Sequence, residues 1–324
     1  MVTSKNEFQI LLKLRLRSLA PKQRKALATK RPPRWLYPVA IEHSYARDIE
    51  TTMRSLVVKA LERIEGRLVS WIRLSSVVVQ RDGTDEELQQ LLEEMDKEIA
   101  ELFAVGAGTG AVLDYVESVA NRLFAFEKMQ METQTKLIIG TPLSTTSEWW
   151  PEAKKLWVSE NHRLIKSLGQ EYIAKLNTIL QTGFQSGWTF NETVDEIKKL
   201  SDKMTGYRAR LIARDQVGKL QYAITRNQFE SIGMDGYIWT TARDELVRGN
   251  PMGRYAKAVP SHWIMDGMVC KFSDPTVFMD KEADGWQKRY ALMPTVHPGQ
   301  AILCRCTCTP YWLPIVSEVN KTIE

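Results

Sequence analysis

The sequence predicts an α+β protein, with a mostly α-helical N-terminal region followed by a smaller α+β C-terminal domain that contains long loops. Three observations favour this fold class. Apolar residues recur at steps of three or four between residues 45 and 231, which is the spacing of one helix face. Runs of β-prone residues occur only later, at 237–240 and 304–311. A length of 324 residues suits about two folding units.

The chain is expected to contain three regions. Residues 1–34 form a basic N-terminal arm, residues 35–200 a helical domain, and residues 201–324 the α+β domain. Pro32 and Pro33 mark the end of the arm, because proline fixes the backbone and removes the amide donor that a helix or sheet needs. We therefore expect a linker at these two residues.

Helical periodicity, capping residues and glycines define the elements in order. The predicted helices are 45–71, 84–102 with a Thr84/Glu87 capping box after a turn at 81–83, 112–136 after Gly106, Gly108 and Gly110, 164–180, a short helix capped by Thr189 or Asn191 and ending at Leu200, and 205–231. Residues 141–151 are rich in turn formers and predict a connection. Beyond Gly233, the runs at 237–240 and 304–311 predict strands.

Composition excludes several classes of protein. No apolar run reaches the ~18 to 20 residues of a membrane span, and charges interrupt the apolar stretch at the N-terminus, so we expect neither a span nor a signal peptide. All four cysteines fall between Cys270 and Cys308, a pattern that does not suit a disulfide-framed secreted fold. This favours folding in a reducing compartment.

Positive charge is concentrated at the N-terminus. The chain carries +5 overall, but residues 1–34 alone carry ten basic side chains against the single acid Glu7. The candidate nucleic-acid contacts among them are Lys13, Arg15, Arg17, Lys22, Arg24, Lys25, Lys30, Arg31 and Arg34.

Two interpretations of this arm stay open: a solubilising disordered tail, or a segment that contacts phosphates or a partner protein through an amphipathic helix. We expect deletion of residues 1–34 to leave the fold intact and to lower DNA retention.

Histidine and cysteine cluster near the C-terminus. The candidate metal ligands are His262, His297, Cys304 and Cys306, with Cys270 and Cys308 as alternates. Alternate residues of a strand face the same side, so the three late cysteines can present their thiols together. Zinc ligation is one interpretation, and buried structural thiols with hydrogen-bonded histidines are the other, since Cys-x-Cys is not the usual zinc spacing.

Five further polar residues accompany this cluster: Arg214, Asp244, Arg248, Asp266 and Arg305. They can form a polar active centre, but buried ion pairs that fix the loops are the favoured interpretation. We expect no catalytic residue.

Four groups of residues occur in a fixed order: Arg210 to Arg214 on a helix; Gly233 to Trp239 followed by Thr241 to Asp244 and Val247-Arg248; Ser261-His262 followed by Asp266-Gly267; and His297-Pro-Gly299 followed by Cys304-Arg-Cys306. This order resembles the Mu F-like minor head proteins of tailed phages. The N-terminal half is similar to the same family through Pro32-Pro33, Tyr37-Pro38 and Tyr45. Residues 249–260 look like an insertion that separates Arg248 from His262, which are normally close in this family.

The resemblance implies a structural role. Members are minor proteins inside the capsid, associated with the portal vertex, so the expected partners are the portal protein, capsid or scaffold proteins, and double-stranded DNA bound without sequence preference. The helical domain would make the protein contacts. The expected location is the virion interior near the portal, and the host cytoplasm during assembly.

Two alternatives belong to other classes. One is an enzyme of the C-terminal His/Cys cluster, either a metal-assisted hydrolase or a Cys-His nucleophile, which requires His262, His297 and the cysteines to meet at an open pocket. The other is a plain DNA-binding module with no portal contact.

Overall fold

The computed structural model describes residues 5–77, 84–107, 110–143, 147–186, 188–280 and 285–323. Its helices are α1 (Lys5–Ser18), α2 (Pro21–Thr29), α3 (Val39–Val77), α4 (Thr84–Ala107), α5 (Gly110–Ile139), α6 (Trp150–Gln185), α7 (Phe190–Ser231) and α8 (Leu313–Lys321). Its strands are β1 (Gly236–Thr240), β2 (Val269–Lys271), β3 (Val277–Phe278), β4 (Gln287–Lys288) and β5 (Thr307–Pro310). The α+β fold class, with a mostly helical N-terminal region, is confirmed. Among the described helices, none is long and apolar enough to cross a membrane.

The segment from residue 189 to 231 forms one helix, α7, where the sequence predicts two. Its start is as expected: Thr189 and Glu192 form a capping box, in which the Thr189 amide donates to the Glu192 carboxylate at 2.7 Å. Thr205 does not begin a new helix, because its hydroxyl donates to the carbonyl of Ser201 inside the same helix. Neither glycine nor proline lies between residues 200 and 205, so nothing stops the helix there.

The other predicted helices are present with shifted ends. The capping position Thr84 begins α4, and the glycine-rich stretch separates α4 from α5 as expected. The helix predicted at 164–180 starts earlier, at Trp150, so the predicted connection is shorter. The predicted turn at 81–83, Gly108 and residues 144–146 lie outside the described residues.

The chain divides into two compact units. Unit 1 consists of Met1–Ile41, Ala120–Lys154 and Arg214–Glu324, and unit 2 of Glu42–Val119 and Lys155–Ala213. This division differs from the expected linear boundaries after residues 34 and 200. The reason is that α3, α5, α6 and α7 each begin in one unit and end in the other.

Unit 2 is a helical unit with a polar contact in its core. Tyr45 on α3 is fully buried, and its hydroxyl donates to Asn161 Oδ1 on α6 at 2.6 Å. The Asn161 amide in turn donates to the carbonyl of Trp157. Both polar groups are therefore satisfied within the apolar interior, as burial requires.

Unit 1 is built around a three-stranded antiparallel sheet in the order β2-β1-β5. The register places Tyr237 opposite Cys270 and Trp239 opposite Cys308. Strand β5 is buried along its whole length. A separate pair, β3 and β4, lies beyond β2 in the chain. The predicted strand at 237–240 is confirmed, and the later one is shorter than predicted, since only residues 307–310 are paired.

Residues 5–34, the described part of the expected basic arm, do not lie apart from the fold, contrary to the expected domain organisation. Phe8, Leu12 and Leu16 form one face of α1 and are fully buried in the core of unit 1. The Phe8 ring stacks on Trp312, with ring centroids 5.6 Å apart. Deletion of residues 1–34 would expose the core surface that these side chains cover, so we now expect the deletion to destabilise unit 1.

The predicted linker at Pro32 and Pro33 is a segment fixed by hydrogen bonds. The Pro33 carbonyl accepts a bond from Gln134 Nε2 at 2.7 Å. The Trp35 amide donates to Thr309 Oγ1 at 2.9 Å, and the Trp35 carbonyl accepts from Thr307 Oγ1 at 2.8 Å. The backbone groups that proline leaves without a ladder are thus paired with side chains of α5 and β5.

Candidate metal centre

His262 is positioned by a backbone contact with Arg248. His262 is the residue before a single 3₁₀ turn (Trp263–Met265), and its amide donates to the Arg248 carbonyl at 3.0 Å. The amide of Trp263 donates to the same carbonyl at 3.0 Å. The two ends of the stretch 249–260 therefore lie close together. The expectation that this stretch separates Arg248 from His262 is wrong.

Cys304 and Cys306 lie on the irregular segment that leads into β5. Leu303 adopts a positive φ of 60°, a conformation that is uncommon for residues other than glycine. The segment passes close to α7 at Gly218, where an added Cβ would lie 2.8 Å from the Cys304 carbonyl oxygen. Any side chain at position 218 of α7 would prevent this close approach, so glycine is required there.

The three side chains converge on one point in the interior. The Sγ of Cys304 lies 3.4 Å from His262 Nδ1, and the Sγ of Cys306 lies 3.6 Å from the same nitrogen. All three ligand atoms lie within 4.8 Å of one another, and all three residues are buried. Within the described part of the chain, no other group of three His, Cys, Asp or Glu side chains is close enough to hold a metal.

The pKa values of the two thiols are shifted in opposite directions. A hydrogen bond from Cys306 lowers the pKa of Cys304 well below its usual value, and His262 and the Gly299 amide act in the same direction. The same thiol–thiol contact, with burial, raises the pKa of Cys306 well above its usual value. The amides of Gly299 and Cys306 both lie 3.4 Å from the Cys304 sulfur. Cys304 is thus the sulfur that the protein stabilises as a thiolate.

The distances fit a tetrahedral metal ion. Zinc bonds of about 2.3 Å to sulfur and about 2.0–2.1 Å to nitrogen place those ligand atoms about 3.6 Å apart. The observed sulfur–nitrogen distances of 3.4 and 3.6 Å match this value. Two thiolates and an imidazole are also ligands that zinc accepts. The group formed by His262, Cys304 and Cys306, here termed the His-Cys-Cys cluster, could therefore hold a metal such as zinc.

The other predicted metal ligands are elsewhere in the core. His297 stacks on Tyr222, and its Nδ1 lies 2.9 Å from the Tyr237 hydroxyl. Burial lowers the pKa of His297 to about 4, and the charge of Arg289 acts in the same direction. Burial raises the pKa of Cys270 to about 11.

Cys308 faces the core of unit 1 from β5, and burial raises its pKa well above the usual value. The structure does not place His297, Cys270 or Cys308 in the His-Cys-Cys cluster. Cys308 lies on the regular strand β5, whereas Cys304 and Cys306 lie on the irregular segment before it. The alternation of side-chain direction expected from Cys304 onward therefore holds only from residue 307, which explains why Cys308 does not join the cluster.

Four of the five predicted polar residues, Arg214, Asp244, Arg248 and Arg305, line one cavity together with His262, Cys304 and Cys306, whereas Asp266 does not. Asp244 pairs with Arg305, and Arg248 donates to the Ile302 carbonyl at 2.8 Å. The backbone carbonyl of Arg214 accepts a bond from Tyr37.

Asp266 accepts bonds from the Thr241 amide and hydroxyl and pairs with Arg243 at 2.8 Å. These contacts connect the loops around the sheet, but Arg243 is exposed, so this is not the buried ion pair that the structural interpretation expects.

The predicted nucleic-acid contacts lie on the outside of α1, α2 and the following segment. Seven of the nine basic side chains are exposed, and Lys13 and Arg24 are half-buried. Lys30, Arg31 and Arg34 line a cavity of about 380 Å³, with Trp312 on another wall. The Arg34 guanidinium also donates to the Thr241 carbonyl.

Two ionisable residues, the buried Glu127 and the half-buried Arg289, are missed by the sequence analysis. Glu127 on α5 is fully buried and accepts bonds from Trp35, Thr225, Gln221 and Gln130. Burial raises its pKa to about 7, although these donors lower it.

The second is Arg289, whose guanidinium lies over the Trp239 ring at 5.4 Å and donates to the carbonyls of Pro294 and Val296. No local sequence pattern marks either residue. Glu127 occupies the apolar face of a long amphipathic helix, and that position was the available signal.

By its fold and its candidate site, this is an α+β protein with a buried His-Cys-Cys cluster. No family model matches the chain. An uncharacterized protein of Haemophilus influenzae is 30% identical over 170 residues, covering 50% of this chain and 32% of that protein. An uncharacterized protein of Methanocaldococcus jannaschii is 25% identical over 245 residues, covering 75% of this chain and 30% of that protein. The chain thus spans about a third of these relatives. No solved structure matches it.

Proposed function

We propose that this chain is a structural protein of a tailed-phage head, located inside the capsid near the portal vertex, where it contacts double-stranded DNA without sequence preference. The observation that carries the proposal is the two-sided character of α1. Its apolar face is buried in unit 1, while its basic residues and those of α2 remain on the surface. The motif order that resembles Mu F-like minor head proteins supports the portal location.

The physical basis for DNA contact is counterion release. Each basic side chain that neutralises a phosphate releases condensed cations, so affinity falls steeply with salt. None of the nine basic residues proposed for this contact forms an ion pair within the described part of the chain, so their charges are available. Helices anchored in a core hold these charges on a defined surface, which a disordered tail does not.

The first prediction concerns the salt dependence of DNA binding. The test variant changes four exposed basic residues to glutamine: Arg17, Lys22, Lys25 and Arg31. Titration of a double-stranded DNA fragment should give a salt slope reduced by about 0.9 for each lost phosphate contact. The matched control removes the same charge from exposed positions of unit 2: Lys59, Lys166, Lys198 and Lys203.

The control should keep the wild-type slope. Equal affinity and slope in all three proteins would contradict the DNA contact, as would an equal loss in the control.

Portal association is tested separately, by whether the chain copurifies with portal protein from assembled heads. DNA binding without portal copurification would favour a plain DNA-binding module.

We propose in addition that the His-Cys-Cys cluster binds one zinc ion that stabilises unit 1. The match between the observed sulfur–nitrogen distances and a tetrahedral zinc site carries this second proposal. An enzyme that uses the same cluster is the alternative. Its requirement that His297 join the cluster is not supported by the position of His297 beside Tyr237.

The second prediction is the zinc content of the purified protein. Elemental analysis should find about one zinc per wild-type chain. The ion should be lost in Cys304→Ser/Cys306→Ser and retained in Cys270→Ser, which removes a buried thiol outside the cluster. Wild-type protein without metal, after purification in zinc-containing buffer, would leave the cluster as structural thiols. Hydrolysis of a head component or DNA that is lost in His262→Ala would support the enzyme.

A further inference from the structure

The His-Cys-Cys cluster borders a cavity in unit 1. The cavity has a volume of about 240 Å³, and His262, Cys304 and Cys306 all line it. Tetrahedral zinc takes four ligands, and the described residues supply three within reach of one another. A closed structural site has four protein ligands, whereas a site with three keeps one position for an external ligand.

The remaining cavity wall carries positive charge. Arg214, Arg248 and Arg305 line the cavity, and Asp244 is the acid among its lining residues. Asp244 already pairs with Arg305. Arg248 is half-buried and donates to a neutral carbonyl, that of Ile302, so this contact does not neutralise its charge.

Residues 249–260 give the cavity another wall. Tyr255 and Ala258 from this stretch line it. The stretch is held in place because the Gly249 amide donates to the Tyr255 carbonyl at 2.9 Å, and the Arg254 amide donates to the Glu245 carbonyl at 2.8 Å. This stretch therefore forms part of the wall of the same cavity that the His-Cys-Cys cluster borders.

We propose that the metal centre is open: the ion held by His262, Cys304 and Cys306 takes its fourth ligand from this cavity, and that ligand is a small oxyanion held by Arg248. The inference rests on the proposed zinc binding. Oxyanions suit the site because a hard oxygen ligand completes zinc coordination and a guanidinium binds phosphate or carboxylate with paired donors. The cavity is smaller than the ~300–1,000 Å³ typical of sites for drug-sized ligands, which favours a small anion.

Cobalt substitution tests this inference without an activity assay. The full chain is loaded with Co²⁺ in a chloride-free buffer, and its absorption spectrum is recorded. The thiolate-to-cobalt charge-transfer band reports metal binding, and the ligand-field bands report coordination. Inorganic phosphate and acetate, titrated in separate arms, should change the ligand-field bands saturably. The arm with the lower apparent Kd identifies which oxyanion the site prefers.

The variants locate the anion site. Arg248→Gln should raise the apparent Kd of the anion by about tenfold and leave the charge-transfer band intact, because a charge-assisted hydrogen bond is lost. Arg254→Gln is the matched control, because Arg254 lies in the stretch 249–260, pairs with Glu245 and does not line the cavity. Arg248→Lys should retain part of the affinity, because lysine keeps the charge but not the paired donors.

The outcomes separate the two proposals. A charge-transfer band with ligand-field bands that ignore both anions would mean a closed centre, overturning this inference while zinc binding stands. Anion binding that Arg254→Gln weakens as much as Arg248→Gln would also overturn it. Absence of the charge-transfer band would overturn zinc binding and this inference together.

Discussion

At the scale of single residues, Glu127 is a carboxyl group fully buried among neutral donors. Two of its donors bind Oε1 and two bind Oε2, and within the described residues no ion pair involves it. Burial raises its pKa from 4.5 to about 7. Ionisation at neutral pH therefore acts against the folded state of unit 1.

The third prediction concerns the pH dependence of stability. A carboxyl group with a raised folded pKa binds more protons in the folded state than in the unfolded state between pH 4.5 and about 7. Its contribution is therefore fully present below pH 4.5 and is lost as the pH rises through about 7, a change on the order of 3 kcal/mol.

Glu127→Gln should lack this loss. Urea unfolding at pH 5 and pH 8 gives the difference for each protein, and all other groups contribute equally to both. Parallel pH profiles for wild type and variant would show that Glu127 does not titrate in this range.

Sequence reasoning predicts the residues of the His-Cys-Cys cluster only in part. The clustering of all four cysteines and two histidines near the C-terminus drew attention to His262, Cys304 and Cys306, which the structure brings together. It also predicted His297, which stacks on Tyr222 instead. Linear proximity in the last 63 residues cannot distinguish these two histidines, since their positions depend on how the long loops fold.

At the scale of secondary-structure elements, α7 and the Cys304 segment meet at glycines from both sides. A Cβ on Gly218 would lie 2.8 Å from the Cys304 carbonyl, and a Cβ on Gly299 would lie 2.4 Å from the Gly218 carbonyl. Glycine in a helix costs about 1 kcal/mol relative to alanine. The helix accepts this cost because the close approach positions Cys304 in the His-Cys-Cys cluster.

The fourth prediction is that Gly218→Ala destabilises the protein, although alanine is the better helix former. The new methyl group would displace backbone atoms next to Cys304, which no side-chain rotation relieves, so stability and zinc affinity should both fall. Gly66→Ala on α3 is the control, because nothing lies within 4 Å of its Cβ position. It should gain up to about 1 kcal/mol.

Chemical unfolding and zinc competition with a chelator measure both effects. A Gly218→Ala protein as stable as wild type, with unchanged zinc affinity, would show that the contact is not tight in solution.

Helix positions were predictable from the sequence, and helix ends were less so. Periodicity located every long helix, because each buries one apolar face. The continuity of α7 was missed because Thr205 resembles a cap, and the actual partner of its hydroxyl, Ser201, becomes apparent only once the helix exists. Helix α8 and the short strands β2 to β4 were not predicted, since segments of two to nine residues carry little periodicity.

At the scale of the whole molecule, the first and last helices of the chain pack on each other. Phe8 on α1 stacks on Trp312 beside α8, and both belong to the core of unit 1. The expected boundary after residue 34 was based on the positive charge of this segment. That charge describes the exposed side of α1, whereas the buried side of the same helix belongs to the core of unit 1. Domain organisation depends on contacts between distant segments, which periodicity does not report.

The fifth prediction tests this closure. Phe8→Ala/Leu12→Ala should lower the free energy of unfolding by on the order of 5 kcal/mol, because both side chains are fully buried. Ile10→Ala/Leu14→Ala changes the exposed face of the same helix, where both residues are more than half exposed, and should leave stability nearly unchanged. Denaturant unfolding followed by tryptophan fluorescence measures both. Equal stability of the two variants would mean that α1 is not docked in solution.

The bonds between Trp35 and strand β5 span 272 and 274 positions of the chain. During synthesis, the last residue of unit 2 emerges about a hundred residues before β5 does. At ~5–20 residues per second this is an interval of roughly 5–20 s. Throughout this interval, α1 has been synthesised but its partners near the C-terminal strand, among them Trp312 and α8, have not, so the nascent chain must keep the apolar face of α1 from aggregating until these segments emerge.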